Sequence, residues 1–347
     1  MPDLRYPPKP SPGDRVAVLS PSSGLPGLFP LPFELGLRRL RDDFGLIPVE
    51  YPATRTMGSS PAGRAADIHA AFADPGIAAV IASIGGDDEI TVLPHLDADV
   101  ISAHPKPFFG YSDNTCLLAY LWQLGIVGYH GGSVMCQFGR PGRMHPDSAA
   151  SLRAALLGSG DYEITPAVGY DDRDLPWDDP ATFDSEPELR PGGGWIWHNA
   201  GRVVEGTSWG GNLEVLAWLL MSGREIPPAA ALQGAVLLLE TSEELPAAAE
   251  VYRILRSMGE RGLLGCCSAV LFGRPKAWSL DRRTTPAEGE EYISDQRAAM
   301  LRAIGEYAPQ AMVVLDVDFG HTDPQVVIPY GGQIRVDGVG RRIIVRY

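Results

Sequence analysis

Three short segments of this chain each set a chemically capable side chain where an apolar run stops. In Pro107-Phe108-Phe109-Gly110-Tyr111-Ser112-Asp113-Asn114-Thr115 an apolar strand reaches a glycine and turns at a serine. It then enters the apolar stretch Cys116 to Leu124. A strand-turn-helix elbow of this kind lifts a hydroxyl out of a sheet and points helix-terminal N–H groups at the carbonyl it attacks. From Gly234 to Glu240 a continuous apolar run ends in a carboxylate. From Ala311 a third run passes Asp316 and Asp318 and reaches Phe319-Gly320-His321-Thr322. A hydroxyl, a carboxylate and an imidazole, in that chain order, are the parts of a nucleophile, an orienting acid and a general base.

Each side chain also has a plainer reading. Ser112 can simply cap the helix that follows, with Asp113 favouring its dipole. Glu240 at a strand end can be solvated or cap a helix, and Glu243 and Glu244 compete for its role. The chain has seven histidines. His69 lies in a helical pattern, His104 precedes a proline, and His145 lies in a Gly/Pro-rich loop. His130, in Tyr129-His130-Gly131-Gly132 after an apolar strand, is also at a strand end, so spacing leaves His130 and His321 level.

For these groups to meet, strands must deliver them to one edge, because catalytic groups gather at the carboxyl ends of strands in open α/β sheets. The first half alternates accordingly. Strands are predicted over Arg15 to Ser20, Leu46 to Tyr51 and Ala78 to Ile84. Helices are predicted over Pro32 to Phe44, Pro61 to Ala73 and Pro146 to Leu157. Such alternation implies βαβ units and a parallel sheet. The fold class is α/β: an N-terminal open parallel sheet, flavodoxin-like or glutamine-amidotransferase-like, plus a second, smaller α/β domain with terminal β segments. Those segments are Gln325 to Ile328, Gly332 to Val336 and Arg342 to Arg346. The expected division is 1–165 for the nucleophile domain, 166–202 for a connecting loop or flap, and 203–347 for the domain carrying Glu240 and His321. Trp177, Trp195 and Trp197 lie among the Asp, Pro and Gly residues of the connecting loop. They either staple the loop to a surface or offer an aromatic face to a flat substrate group.

At 347 residues and 45% apolar content the chain has material for an ample core. A formal charge of −14 argues against a nucleic-acid polymer as partner, since such binding rests on Lys and Arg neutralising phosphates. No apolar stretch reaches the length needed to span a bilayer, and the amino-terminal residues show no leader pattern. Cys116, Cys136, Cys266 and Cys267 lack metal-ligand spacing and read as buried thiols in a cytoplasmic protein. No metal site and no cofactor fingerprint is expected.

The segment from Lys106 to Thr115, the Glu240-Thr-Ser-Glu-Glu run and Phe319-Gly-His-Thr resemble the serine LD-carboxypeptidase family, in particular its microcin C self-immunity branch. Ser20-Pro-Ser-Ser-Gly24, Ile84-Gly85-Gly86-Asp87-Asp88, His130-Gly-Gly132 and Trp209-Gly-Gly-Asn-Leu213 extend the resemblance over nearly the whole chain. It implies Ser112 as nucleophile, Glu240 as orienting carboxylate and His321 as base. The N–H groups of Asp113 and Gly86 would form the oxyanion hole. Gly85, Asp87 and either Trp177 or Trp195 would contact substrate. The implied reaction is amide hydrolysis of a small peptide or a peptidyl-nucleotide by a homodimer. Ile84 before the glycine pair, where murein-cleaving members commonly carry Arg, points to the immunity branch. Murein tetrapeptide cleavage is the second reading, and a non-catalytic small-ligand binding protein is the reading from another class.

Overall fold

The computed structural model describes residues 4–347; of the amino-terminal stretch read for a leader, Met1, Pro2 and Asp3 lie outside them. The first half runs β1 (Arg15–Leu19), α1 (Pro30–Asp42), β2 (Ile47–Glu50), α2 (Pro61–Ala73), β3 (Ile77–Ala82) and α3 (Ala98–Ala103). It continues with β4 (Phe108–Gly110), α4 (Thr115–Gln123), β5 (Gly128–His130) and α5 (Pro146–Leu157). The Ile77–Ala82 run has no alternation because both faces of its strand are covered, and five of its six residues are buried. Helix α2 begins where Ser60 accepts a hydrogen bond from the Gly63 N–H with Pro61 behind it.

After α5 come β6 (Asp161–Ile164), β7 (Gly169–Tyr170), β8 (Arg190–Pro191), β9 (Ile196–His198), β10 (Val203–Asn212) and α6 (Leu213–Ser222). Then follow β11 (Val236–Glu240), α7 (Ala248–Glu260), β12 (Ala269–Gly273), α8 (Pro286–Tyr307), β13 (Met312–Val317), β14 (Ile328–Tyr330), β15 (Gln333–Asp337) and β16 (Arg342–Arg346). Every residue of β11, β12 and β13 is buried. Helix α8 opens with a capping box between Thr285 and Glu288.

Two large sheets result. A six-stranded sheet has the order β14-β5-β4-β3-β1-β2, and an eight-stranded sheet has the order β6-β16-β15-β10-β11-β12-β13-β9. Strands β2, β1, β3, β4 and β5 are parallel, as are β10, β11, β12 and β13. Ser112 therefore follows the carboxyl end of one parallel run, and Glu240 and His321 follow that of the other. The mixed α/β architecture matches the class read from the sequence.

The chain does not keep each sheet to one half. Strand β6 joins the eight-stranded sheet, and β14 crosses back to pair antiparallel with β5. The predicted strand Gln325 to Ile328 is displaced to Ile328–Tyr330. Val326 and Val327 are buried without a ladder because the Val327 N–H donates to Ser151 Oγ (2.8 Å) and the Val326 N–H to the Asp318 carbonyl (2.6 Å). The segment read as a connecting loop is also partly sheet. Ile196–His198 pairs with β13, and Gly169–Tyr170 pairs with Arg190–Pro191.

Candidate active site

At the end of β4 the backbone turns through Ser112 with φ at +61°, a left-handed conformation that a serine adopts only under constraint. Neither the Tyr111 nor the Asn114 helix start carries a side-chain cap, and Ser112 Oγ has no hydrogen-bond partner among the described residues. The hydroxyl is half-buried and is not spent on capping.

Asp113 explains how the turn is held. Its side chain is fully buried and accepts from the Asp88 N–H (2.9 Å), the Glu89 N–H (2.8 Å) and Ser22 Oγ. The carboxylate thus draws the Gly85–Glu89 loop and the Ser20–Gly24 loop onto the elbow. Gly85 is needed for that approach, because a Cβ there would lie 2.9 Å from Ser112 Cβ and 3.4 Å from the Asp113 nitrogen. From the other sheet, the Asn212 N–H donates to Thr115 Oγ1 (3.1 Å). Gly211, at φ +117°, lets β10 come this close: a Cβ would sit 2.5 Å from Thr115 Cγ2. The sequence credits Asp113 with an oxyanion-hole N–H or a charge favouring the helix dipole; that its carboxylate ties two loops to the elbow is visible only in the fold.

Glu240 and His321 are brought together at 2.6 Å, Oε2 to Nδ1. Glu240 is fully buried and the His321 side chain is 8% exposed. Burial alone would raise the Glu240 carboxyl, yet the His321 charge and hydrogen bond hold it below its ordinary value. Burial pulls His321 down, and the charges of Glu240, Glu243 and Glu214 outweigh it, lifting the imidazole to about 9. Tyr111, next to the elbow serine, sets its ring edge-on to His321 with centroids 4.9 Å apart. His321 Nε2 has no hydrogen-bond partner; the nearest charged group is Glu243 Oε2 at 3.4 Å. No hydrogen bond joins Nε2 to Ser112; such catalytic hydrogen bonds commonly tighten only in the complex with substrate.

His130 is fully buried, with both ring nitrogens unpartnered and its ring against Tyr111 and Phe319. Burial pushes it down to about 4, so it stays neutral near pH 7. Two further carboxyls escaped the sequence reading. Glu214 accepts from the Ser242 N–H (2.9 Å) and Oγ (2.6 Å), fixing the turn after Glu240. Burial, with a contribution from Glu240, raises it to about 7 against the pull of Ser242. Glu89 is buried under the elbow with neither carboxyl oxygen partnered, and burial together with Asp113 pushes it well above the carboxylate range. Each directly follows a motif visible in the sequence, one ending at Leu213 and the other at Asp88, but nothing local to them signals burial.

The candidate substrate contacts are spread out. Gly85 is buried against Ser112, Gly86 and Asp87 are exposed on the same loop, and Asp88 pairs with the buried Arg64 (2.5 Å). Trp195 donates its indole N–H to Asp318 Oδ2 (2.9 Å), and Arg274 binds the other oxygen, Oδ1, of the same carboxylate. That indole is a staple of the connecting segment. Trp177 instead touches Phe29 edge-on at 6.0 Å and keeps its indole N–H out of any such bond. Among the described residues no group of three or more His, Cys, Asp or Glu side chains is arranged to hold a metal ion. Among the described residues no helix is long and apolar enough to cross a membrane.

Comparison with known proteins bears on this geometry. Residues 16–131 match the LD-carboxypeptidase N-terminal domain and residues 205–336 the LD-carboxypeptidase C-terminal domain. The chain is 26% identical over 287 residues to the microcin C7 self-immunity protein MccF of Escherichia coli, covering 81% of this chain and 77% of that protein. It is also 26% identical over 358 residues to a probable murein peptide carboxypeptidase of Bacillus subtilis, covering 99% and 95%. The solved structure of MccF in complex with aspartyl sulfamoyl adenosine superimposes with a TM-score of 0.82 over 98% of both chains at 23% identity, a likeness of fold.

Proposed function

The chain belongs to the LD-carboxypeptidase family and is a serine-type hydrolase of that family, and on this premise we propose that Ser112 is its nucleophile, His321 its general base and Glu240 the carboxylate that orients the base. The observation that carries this reading is the buried 2.6 Å Glu240–His321 pair, packed through Tyr111 against a strained, uncapped serine. In its neutral form His321 takes the Ser112 proton as Oγ attacks an amide carbonyl, then returns it to the leaving amine. Glu240 holds Nδ1–H and stabilises the imidazolium without taking the proton. The N–H groups of Asp113 and Gly86 receive the developing oxyanion, each contributing about 3 kcal/mol to the transition state. Water then releases the acyl-enzyme by the same steps in reverse order.

The substrate reading is an aminoacyl-nucleotide amide or acyl-sulfamide of the immunity type. It is supported by Ile84, which packs its side chain on the core where a cation would be needed to hold a terminal carboxylate. The full-length similarity to a murein peptide carboxypeptidase supports a tetrapeptide as second reading. Product analysis by mass spectrometry on aspartyl sulfamoyl adenosine and an LD-linked tetrapeptide separates the two. Trp177→Ala sharpens the outcome. Stacking of a base on an indole contributes about 1–3 kcal/mol, so its loss should raise KM for the nucleotide by roughly tenfold or more and leave the tetrapeptide unchanged. Equal effects on both would remove the preference for a nucleotide.

A further inference from the structure

The group nearest the working nitrogen of the base is a carboxylate. Glu243 Oε2 lies 3.4 Å from His321 Nε2, the atom that must meet the Ser112 hydroxyl. That nitrogen belongs to a side chain more than nine-tenths buried and is otherwise unpartnered. Glu243 itself is 55% exposed, so it can leave this position without opening the core. Glu244 follows it on the same loop, and Asp87, exposed beside the glycine pair, is near enough to act on Glu244 electrostatically. Asp87, Glu243 and Glu244 therefore group their charges beside the base.

The neighbouring cations do not neutralise them. Arg64 is buried and spent on Asp88 and on the Pro21 and Ser22 carbonyls. Lys276 pairs with Asp174 (2.7 Å) and the Asp172 carbonyl. Arg282 donates to the Leu245 carbonyl and lies over the Tyr292 ring. Uncompensated carboxylates at a site entrance attract positive and repel negative ligand groups.

Resting on the hydrolase reading above, we propose that Glu243, with Glu244 and Asp87 behind it, selects substrates whose acyl side chain carries a positive charge. An ammonium or guanidinium at the end of that side chain draws the Glu243 carboxylate off His321 Nε2 and frees that nitrogen for Ser112. An acidic acyl group meets like charge and leaves Glu243 in place. This preference is opposite in sign to the aspartyl compound bound by MccF.

The test uses lysyl, glutaminyl and glutamyl sulfamoyl adenosine, which differ chiefly in side-chain charge. The wild-type protein should rank them lysyl, glutaminyl, glutamyl in kcat/KM, with roughly tenfold per unit of charge at low ionic strength. Glu243→Gln should compress the lysyl-to-glutamyl ratio by about tenfold while raising kcat for the glutaminyl compound, and Glu243→Lys should reverse the order. Dissociation constants on Ser112→Ala protein should follow the wild-type order. Wild-type preference for the glutamyl compound, or a ratio unmoved by Glu243→Gln, overturns the proposal. Charge-ordered binding with no hydrolysis by the wild type overturns the hydrolase reading and leaves the charge selection standing.

Discussion

The elbow side of the site and the base side are held by different physics. Around Ser112 the constraint is shape. A left-handed serine, a glycine too close to tolerate a Cβ, and a buried Asp113 carboxylate tying two loops together leave the hydroxyl one place to be. Around His321 the constraint is charge. A buried ion pair, a flanking Glu214 and an exposed Glu243 set the protonation of the imidazole, and Glu243 and Glu244 of the loop after Glu240 reach solvent. Damage to the first side should therefore misplace atoms, and damage to the second should shift a titration.

The largest test of this contrast removes one group from each side. Ser112→Ala and His321→Ala should each lower kcat by roughly 10⁴-fold or more, Ser112→Ala with the thermal transition nearly unchanged and His321→Ala with a lower one, since it leaves the buried Glu240 carboxylate unpaired. His130→Ala should cost far less in rate but lower Tm, since it empties space packed against Tyr111 and Phe319. A His130 variant more damaged in kcat than the His321 variant would mean the wrong strand end had been assigned the base. Gly85→Ala comes next. Its new Cβ would lie 2.9 Å from Ser112 Cβ, so kcat should fall by about 10²-fold through displacement of the elbow and its N–H groups. The pH profile should keep its midpoint; a moved midpoint would show that shape and charge are not separable here.

The pH profile is the smallest and most discriminating effect. His321 is raised to about 9, so its proton-accepting form is the minor one near pH 7 and grows as pH rises. For free enzyme kcat/KM should climb about tenfold per unit up to pH 9 and then level. The groups facing the ring are Glu240 from β11, Glu243 from the following loop, Glu214 from α6 and Tyr111 from the elbow. Glu243→Gln deletes one charge that favours the imidazolium, so the rising limb should move to lower pH. A limb near pH 6.5 that ignores Glu243→Gln would sink the electrostatic account of this half.

The elements were legible where pattern is local. Pro61–Ala73, Pro146–Leu157 and Arg342–Arg346 form over the residues the sequence indicates, because proline at a helix start, a capping side chain or a short β run between turn residues acts within a few residues. The Gln325 to Ile328 strand was misplaced because its backbone partners are serine hydroxyls on α5, far away in the chain. Trp195 looked equally suited to staple or to stack, and the choice rested on Asp318, which the β9–β13 pairing and the Ala167 N–H bring to the connecting segment.

The sequence by itself determined that this is an α/β chain with three chemical groups waiting at strand ends, since apolar runs, glycines and the residues after them are local facts. Which groups meet was decided by tertiary structure. His130 and His321 are equivalent in spacing, but β13 and β11 flank β12 in one sheet, whereas β5 lies in the other. That order sets His321 Nδ1 2.6 Å from Glu240, while the His130 ring nitrogens are buried without a hydrogen-bond partner. The same holds for the charges that set the chemistry. Glu89, Glu214 and Glu243 are ordinary carboxylates in the chain, and only the fold decides which are desolvated and which stand beside the base. Burial and proximity across a hundred residues are properties of packing, with no counterpart in local pattern.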